Sequence, residues 1–203
     1  IEDTGRLYIR NGGTFHIASG GTFTRNNFVE LGVILMDNTD YTIRVDGICD
    51  MSDLTSFNNT LMDFNRLQVS AASKTVSLEG NGTIVFGYIY YAQSNTRIKL
   101  DAATTLKLTS VILFGFNANN VFDNYGTLLF DVIDYIGPGM EFHNRSGAVV
   151  YAGMGGGAGS SPFPTHDPDF SFYAEYTNNL VVYCGIDADQ TIGVPVNGYS
   201  NLE

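Results

Sequence analysis

The sequence has 203 residues, 44% hydrophobic and 15% charged, which suits one packed domain, with or without a small appendage, and excludes a disordered chain. Ten basic against twenty-one acidic residues give a net charge of −11, which excludes a basic nucleic-acid footprint. Wholly apolar runs such as Val33 to Met36 fall far short of the ~20 residues a spanning helix needs, so membrane insertion is not expected.

Twenty-three Gly, 12 Tyr and 14 Phe, with many Asn and Thr and few Lys, favour strands and turns over helices. No long window carries apolar residues at helical spacing, so the chain reads as all-β. Cys49 and Cys184 form no metal or redox motif; one disulfide is open to them, and two buried thiols are the expectation. The chain opens at Ile1, which reads as a processed product or an excerpt of something longer.

Taken in order, residues 1–27 read as an N-terminal cap or stem. They carry a short echo, Gly12-Gly13-Thr14-Phe15-His16-Ile17 then Gly20-Gly21-Thr22-Phe23-Thr24-Arg25, which suits a tight start, a capping hairpin or an intertwined stem. Strands are expected at Phe28 to Met36, Tyr41 to Asp46 and Leu61 to Val69, with Asp50 to Asn59 as a polar loop. A repeat then emerges. Gly82-Thr83-Ile84-Val85-Phe86, Thr104-Thr105-Leu106-Lys107-Leu108, Gly126-Thr127-Leu128-Leu129-Phe130 and Gly147-Ala148-Val149-Val150-Tyr151 begin 22, 22 and 21 positions apart. Second strands follow at Tyr88 to Tyr91, Val111 to Phe114 and Val132 to Tyr135. Third strands follow at Arg97 to Leu100, Val121 to Asp123 and Met140 to His143. Three short strands per ~22 residues are the plan of a β-solenoid. Asn11, Asn81, Asn124 and Asn144 mark its corners, because Asn and Gly tolerate sharp backbone turns and stacked Asn amides can bond one another. The repeat assigns 28–151 to this body, the Gly- and Pro-rich 152–168 to a linker, and 169–203 to a C-terminal β cap. The cap's strands are expected at Phe170 to Tyr176, Leu180 to Tyr183 and Thr191 to Val196.

The Asn-bearing corners, the three-strand unit and its period resemble right-handed parallel β-helices of the pectin-lyase-like type. That group includes polysaccharide lyases and hydrolases, bacterial adhesins and trimeric phage tailspikes. The likeness is clearest over 74–151 and is one of architecture, so it implies a fold and a menu of functions.

Catalysis on such a fold needs a gathered set of carboxylates or a base. Asp123, Asp131, Asp134, Glu141 and His143 are the candidates, with Asp123 and His143 expected on neighbouring strands. Asn38-Thr39-Asp40 and Arg97-Ile98-Lys99 match two polygalacturonase tripeptides, but that family's Asp-Asp and Gly-His-Gly signatures are absent between them, and the match is rejected. Lys99 and Lys107 lack an evident acidic cage for lyase chemistry. No metal site or resident cofactor is expected; Asp187 and Asp189 are the pair that could hold Ca²⁺, a hydrated turn being the plainer reading. Tyr88, Tyr90, Tyr91, Tyr125 and Tyr135 are candidate contacts for a glycan or a partner. Asn58, Asn81 and Asn144 open glycosylation-type triplets, discounted where they are corners. The favoured reading is a non-enzymatic structural or adhesive segment of an extracellular or virion appendage, forming a homotrimer and binding surface polysaccharide. A polysaccharide lyase or glycoside hydrolase on the same fold, and a bacterial surface adhesin, are the alternatives.

Overall fold

Alternation of side chains sets the local structure. In Thr75–Glu79, Thr83–Phe86, Arg97–Leu100 and Thr127–Phe130, every second residue is a fully buried Val, Leu, Ile or Phe, and those between are polar, basic or aliphatic and partly exposed. The computed structural model describes residues 6–9, 13–24, 32–35, 40–50, 66–69, 72–109, 111–113, 117–134, 137–154, 161–164, 169–174, 176–185 and 192–203. Among them are strands and no helix.

The strands come in threes. In chain order they are β1 (Arg6–Ile9), β2 (Thr14–Ile17) and β3 (Thr22–Thr24); β4 (Gly32–Leu35), β5 (Tyr41–Val45) and β6 (Ile48–Asp50); β7 (Arg66–Val69), β8 (Thr75–Glu79) and β9 (Thr83–Phe86); β10 (Tyr88–Tyr91), β11 (Arg97–Leu100) and β12 (Thr105–Leu108); β13 (Val111–Leu113), β14 (Val121–Asn124) and β15 (Thr127–Phe130); β16 (Val132–Asp134), β17 (Met140–Asn144) and β18 (Val149–Ala152); and finally β19 (Phe170–Tyr173) and β20 (Leu180–Tyr183). Each strand pairs with those three before and three after it, and every pairing is parallel. Three sheets result: a first from β1 to β16, a second from β2 to β19 and a third from β3 to β20. The expected all-β class is thus what the chain adopts, with parallel sheets throughout.

Two corner columns explain how the chain passes between sheets. Before the second sheet, Ser73, Asn95, Asn119 and Gly139 each stand two residues ahead of register partners Thr75, Arg97, Val121 and Glu141. All four have positive φ, from 56° to 71°. The exposed amide of Asn119 donates to Asn95 Oδ1 at 3.1 Å. Before the third sheet, Gly82, Thr104, Gly126 and Ala148 immediately precede partners Thr83, Thr105, Thr127 and Val149. A Cβ on Gly126 would collide with the carbonyls of Thr104 and Asp101, so the column needs glycine at that step, whereas Thr104 fits at the step before it.

Register corrects several expectations. The third-sheet step is 22 residues each time (83, 105, 127, 149), so Ala148 and not Gly147 is the equivalent of Gly126. The echo at Thr14 and Thr22 is neither a hairpin nor a separate stem: β2 and β3 join different sheets and pair parallel with β5 and β6. Likewise β19 and β20 extend the second and third sheets, pairing with β17 and β18. The segment 192–203 is not a strand over Ile192 to Val196. It runs along the new edges, with Val196 N–H donating to Phe172 O (2.8 Å), Ser200 N–H to Ala174 O (2.9 Å) and Glu203 N–H to Val181 O (2.9 Å).

The presumed linker also contributes to the core. Phe163 is fully buried, stacks on Phe172 (4.1 Å between centroids, 7° between planes) and meets Phe130 and Phe142 edge-on. Beside it, Pro162 O accepts from Ile133 N–H at 2.9 Å, capping the edge of β16. A Gly- and Pro-rich sequence can still be pinned by one aromatic residue.

Candidate functional site

Neither cysteine is in a disulfide: Cys49 is buried as expected, whereas Cys184 is only half-buried, and burial pushes its thiol upward. The residues with chemistry gather elsewhere, on the outer face of the second sheet. There Ser77, Lys99, Asp123, His143 and Tyr173 are successive register partners on β8, β11, β14, β17 and β19. Phe122, Phe142 and Phe172, one position earlier, turn inward and pack in the core, Phe122 stacked on Phe142 and Phe172 edge-on to it. Alternation therefore places the polar file outward.

Asp123 is at the centre. Its side chain is only 2% exposed although it lies on the outer face, because two arginines cover it. Arg97 Nη1 donates to Oδ2, while Arg145 Nε (2.7 Å) and Nη2 donate to Oδ1. Burial alone would lower the Arg145 guanidinium, but the hydrogen bond and charge of Asp123 outweigh it, and its pKa is raised. One carboxylate thus ties β11 and β14 to the corner after β17.

From Arg145 a hydrogen-bonded line continues. Arg145 Nη1 lies 2.5 Å from the Tyr176 hydroxyl, which lies 3.0 Å from His143 Nδ1; His143 Nε2 lies 2.8 Å from Glu141 Oε2. The Tyr173 ring stacks on His143 at 4.4 Å and 6°. Burial holds His143 below its ordinary 6.5; the Glu141 hydrogen bond pulls the other way and the Arg145 charge adds to the lowering. In neutral His143 one nitrogen carries the proton. The Glu141 carboxylate only accepts, so Nε2–H donates to it and Nδ1 accepts from the Tyr176 O–H. Tyr125 lies outside this line, beneath Lys99 Nζ (5.4 Å) and the Arg145 guanidinium (6.0 Å).

Comparison with protein-family models, with curated proteins and with solved structures finds no match. Geometry alone must then sort the candidates. Asp123, Glu141 and His143 come together. Asp131 does not: it follows β15, before the first sheet, and Asp134 sits on β16 in that sheet. Tyr88 and Tyr91 are buried and offer no contact surface; the Tyr91 ring is inside the core, its hydroxyl donating to Val121 O at 3.2 Å, and burial raises its pKa strongly. Tyr90 and Tyr125 are half-buried, while Tyr135, Asn11, Asn58, Asp187 and Asp189 lie outside the described residues. Among the described residues, no three His, Cys, Asp or Glu side chains gather as a metal site.

The corner asparagines divide. Asn124 and Asn144 are register partners and fully buried, and Asn124 Nδ2 donates to Asn144 Oδ1 at 2.9 Å. Asn144 Nδ2 donates on to Leu180 O, Asn179 Nδ2 to Asn144 O, and Asn201 Nδ2 to Asn179 O. Asn144 is therefore inaccessible to a glycan in the folded chain. Asn81 stands outside this spine, exposed, its N–H donating to Asp46 Oδ1 at 3.3 Å. Register explains the split: Asn124 stacks over Leu100 and Leu78, three residues before Asn81.

The sequence missed Arg97, Arg145, Tyr173 and Tyr176 as members of this cluster. Arg145 is 22 residues beyond Asp123, one repeat length, and that spacing was the available signal. Tyr176 lay hidden in a corner whose length does not follow the repeat.

Proposed function

We propose that the three sheets close into a parallel β-helix, a β-solenoid, and that the chain is a structural and adhesive segment of an extracellular or virion appendage, similar to a phage tailspike or tail fibre. In this reading it is non-enzymatic, assembles as a homotrimer and contacts surface polysaccharide. The strict rotation through three parallel sheets supports the solenoid. The observation that carries the function is Asp123: its two oxygens are occupied by two guanidinium groups on a side chain almost closed to solvent, so the central candidate for catalysis serves as a cross-tie. Asp131 and Asp134 stand apart from it, which leaves no assembled pair of the five expected carboxylates and base beyond Glu141 with His143.

Glu141 and His143 keep a second reading in view, a carbohydrate-active enzyme on the same fold, because the Glu141 side chain is 41% exposed and hydrogen-bonded to an imidazole. One experiment separates the two. Multi-angle light scattering should give a homotrimer, and panels of acidic and neutral polysaccharides should be bound and left uncleaved. A monomer that releases reducing ends, and loses that release on Glu141→Gln, would overturn the structural reading.

A further inference from the structure

The line from Glu141 to Arg145 has a property that neither rigidity nor adhesion requires. Its middle member, His143, is the one imidazole in it, the side-chain type whose charge changes nearest neutrality, and it joins two parts of the fold. His143 belongs to β17, while Tyr173 stacked on it belongs to β19 and Tyr176 bonded to it stands in the corner leading to β20. The β19–β20 unit is the last one described, and 192–203 is fastened to it by Val196, Ser200 and Glu203.

We propose that His143 is an acid-sensitive clasp: a proton on its ring converts Nδ1 from acceptor to donor, loosening Tyr176 and with it the β19–β20 unit and the covering segment. In the neutral arrangement the Tyr176 oxygen accepts from Arg145 and its hydrogen goes to His143. After protonation, Arg145 Nη1–H and His143 Nδ1–H converge on that one oxygen, and the Tyr176 hydrogen is displaced. The groups facing the imidazole set the balance. Glu141, on the same strand, favours the cation, but solvent screens its half-exposed carboxylate. Asp123 on β14 also favours it, though two guanidiniums already engage that carboxylate. Arg145, from the corner after β17, opposes it, and from β19 the Tyr173 ring covers the imidazole and keeps water away.

The sign follows from which state binds the proton. The closed unit prefers neutral His143, so opening takes up a proton. The clasp is at full strength above about 6.5 and weakens as pH falls below it, until the pKa of the closed state is passed. Each unit of depression corresponds to a tenfold change in the ratio of closed to open forms.

Hydrogen–deuterium exchange on the full chain at pH 7.5 and pH 5.0, corrected for intrinsic exchange rates, tests this. Exchange in 169–185 and 192–203 should quicken about five- to tenfold at the lower pH, with 83–109 unchanged. His143→Gln should abolish the step while keeping protection at pH 7.5, whereas His16→Gln should keep it. Tyr176→Phe, which removes the clasped hydroxyl, should open the same segments at both pH values. A step that persists in His143→Gln, or that spreads evenly over the chain, overturns the clasp.

Discussion

The second and third sheets share one backbone plan and are held by different forces. On the third sheet, one file of register partners runs Thr22, Ile48, Thr83, Thr105, Thr127, Val149, Leu180, and the next runs Thr24, Asp50, Val85, Lys107, Leu129, Tyr151, Val182. Asp50 and Lys107 are the charged residues in those two files. The second sheet's outer face instead carries His16, Arg44, Glu79, Arg97, Lys99, Asp123, Glu141 and His143. The steps differ too. From β9 to β18 third-sheet partners keep 22 residues, while from β8 to β17 second-sheet partners step by 22, 24 and 20 (75, 97, 121, 141). Where spacing is constant, aliphatic packing and close corners suffice. Where it varies, directed polar ties such as Asp123 and the asparagine spine fix the register, because a hydrogen bond specifies a partner and apolar burial does not.

Substitutions in each sheet sharpen that contrast. Leu128→Ala, deep behind the third sheet, should cost the most, about 3 kcal/mol in urea unfolding, since it removes a fully buried side chain and leaves a cavity. Asp123→Ala on the second sheet should cost less, about 2 kcal/mol: it strands two arginines, but Arg97 is 45% exposed and rehydrates. Unlike Leu128→Ala, this loss should shrink at high salt. Asn144→Ala should cost about 1–2 kcal/mol by breaking the spine, with Leu180 and Asn124 amide signals shifting most in NMR spectra. The smallest effect belongs to Asp46→Asn. Hydrogen bonds from Arg44 and then His16 lower the Asp46 carboxyl, so its contribution exists above 3.8 and fades as pH falls through the folded pKa. Its partners Arg44 and His16 are about half exposed, however, and the urea midpoint at pH 7 should not move measurably. If Asp46→Asn cost as much as Asp123→Ala, burial would not be what distinguishes the two ties.

The same contrast explains what could be read from the chain. The third sheet was legible because a β-branched or apolar strand follows a small residue at constant spacing. The slip at Gly147 arose from matching glycine to glycine; Gly147 turns at a φ of 76°, and Ala148 fills the crowded position after it. The corner from Leu78 to Thr83 is two residues longer than the one from its register equivalent Asn124 to Thr127, so Asn81 seemed equivalent to Asn124 when it is not. Left-handed Ser73, Asn95 and Asn119 went unnoticed because Ser and Asn there look like ordinary loop residues. Phe163 was masked by its Gly and Pro surroundings. The Asp123 cluster depends on side-chain reach across three strands, of which spacing encodes only the 22-residue step to Arg145.

Collinear stacking is the claim beneath all of this, and spin-label distances measure it most directly. With Cys49 and Cys184 replaced by alanine, nitroxide pairs among Thr22→Cys, Thr83→Cys and Leu180→Cys span two, four and six steps of the third sheet. At ~4.8 Å per step, the backbone separations should be about 10, 19 and 29 Å. The longest should equal the sum of the other two. A distance from residue 22 to residue 180 shorter than that from 83 to 180 would contradict the stacked arrangement.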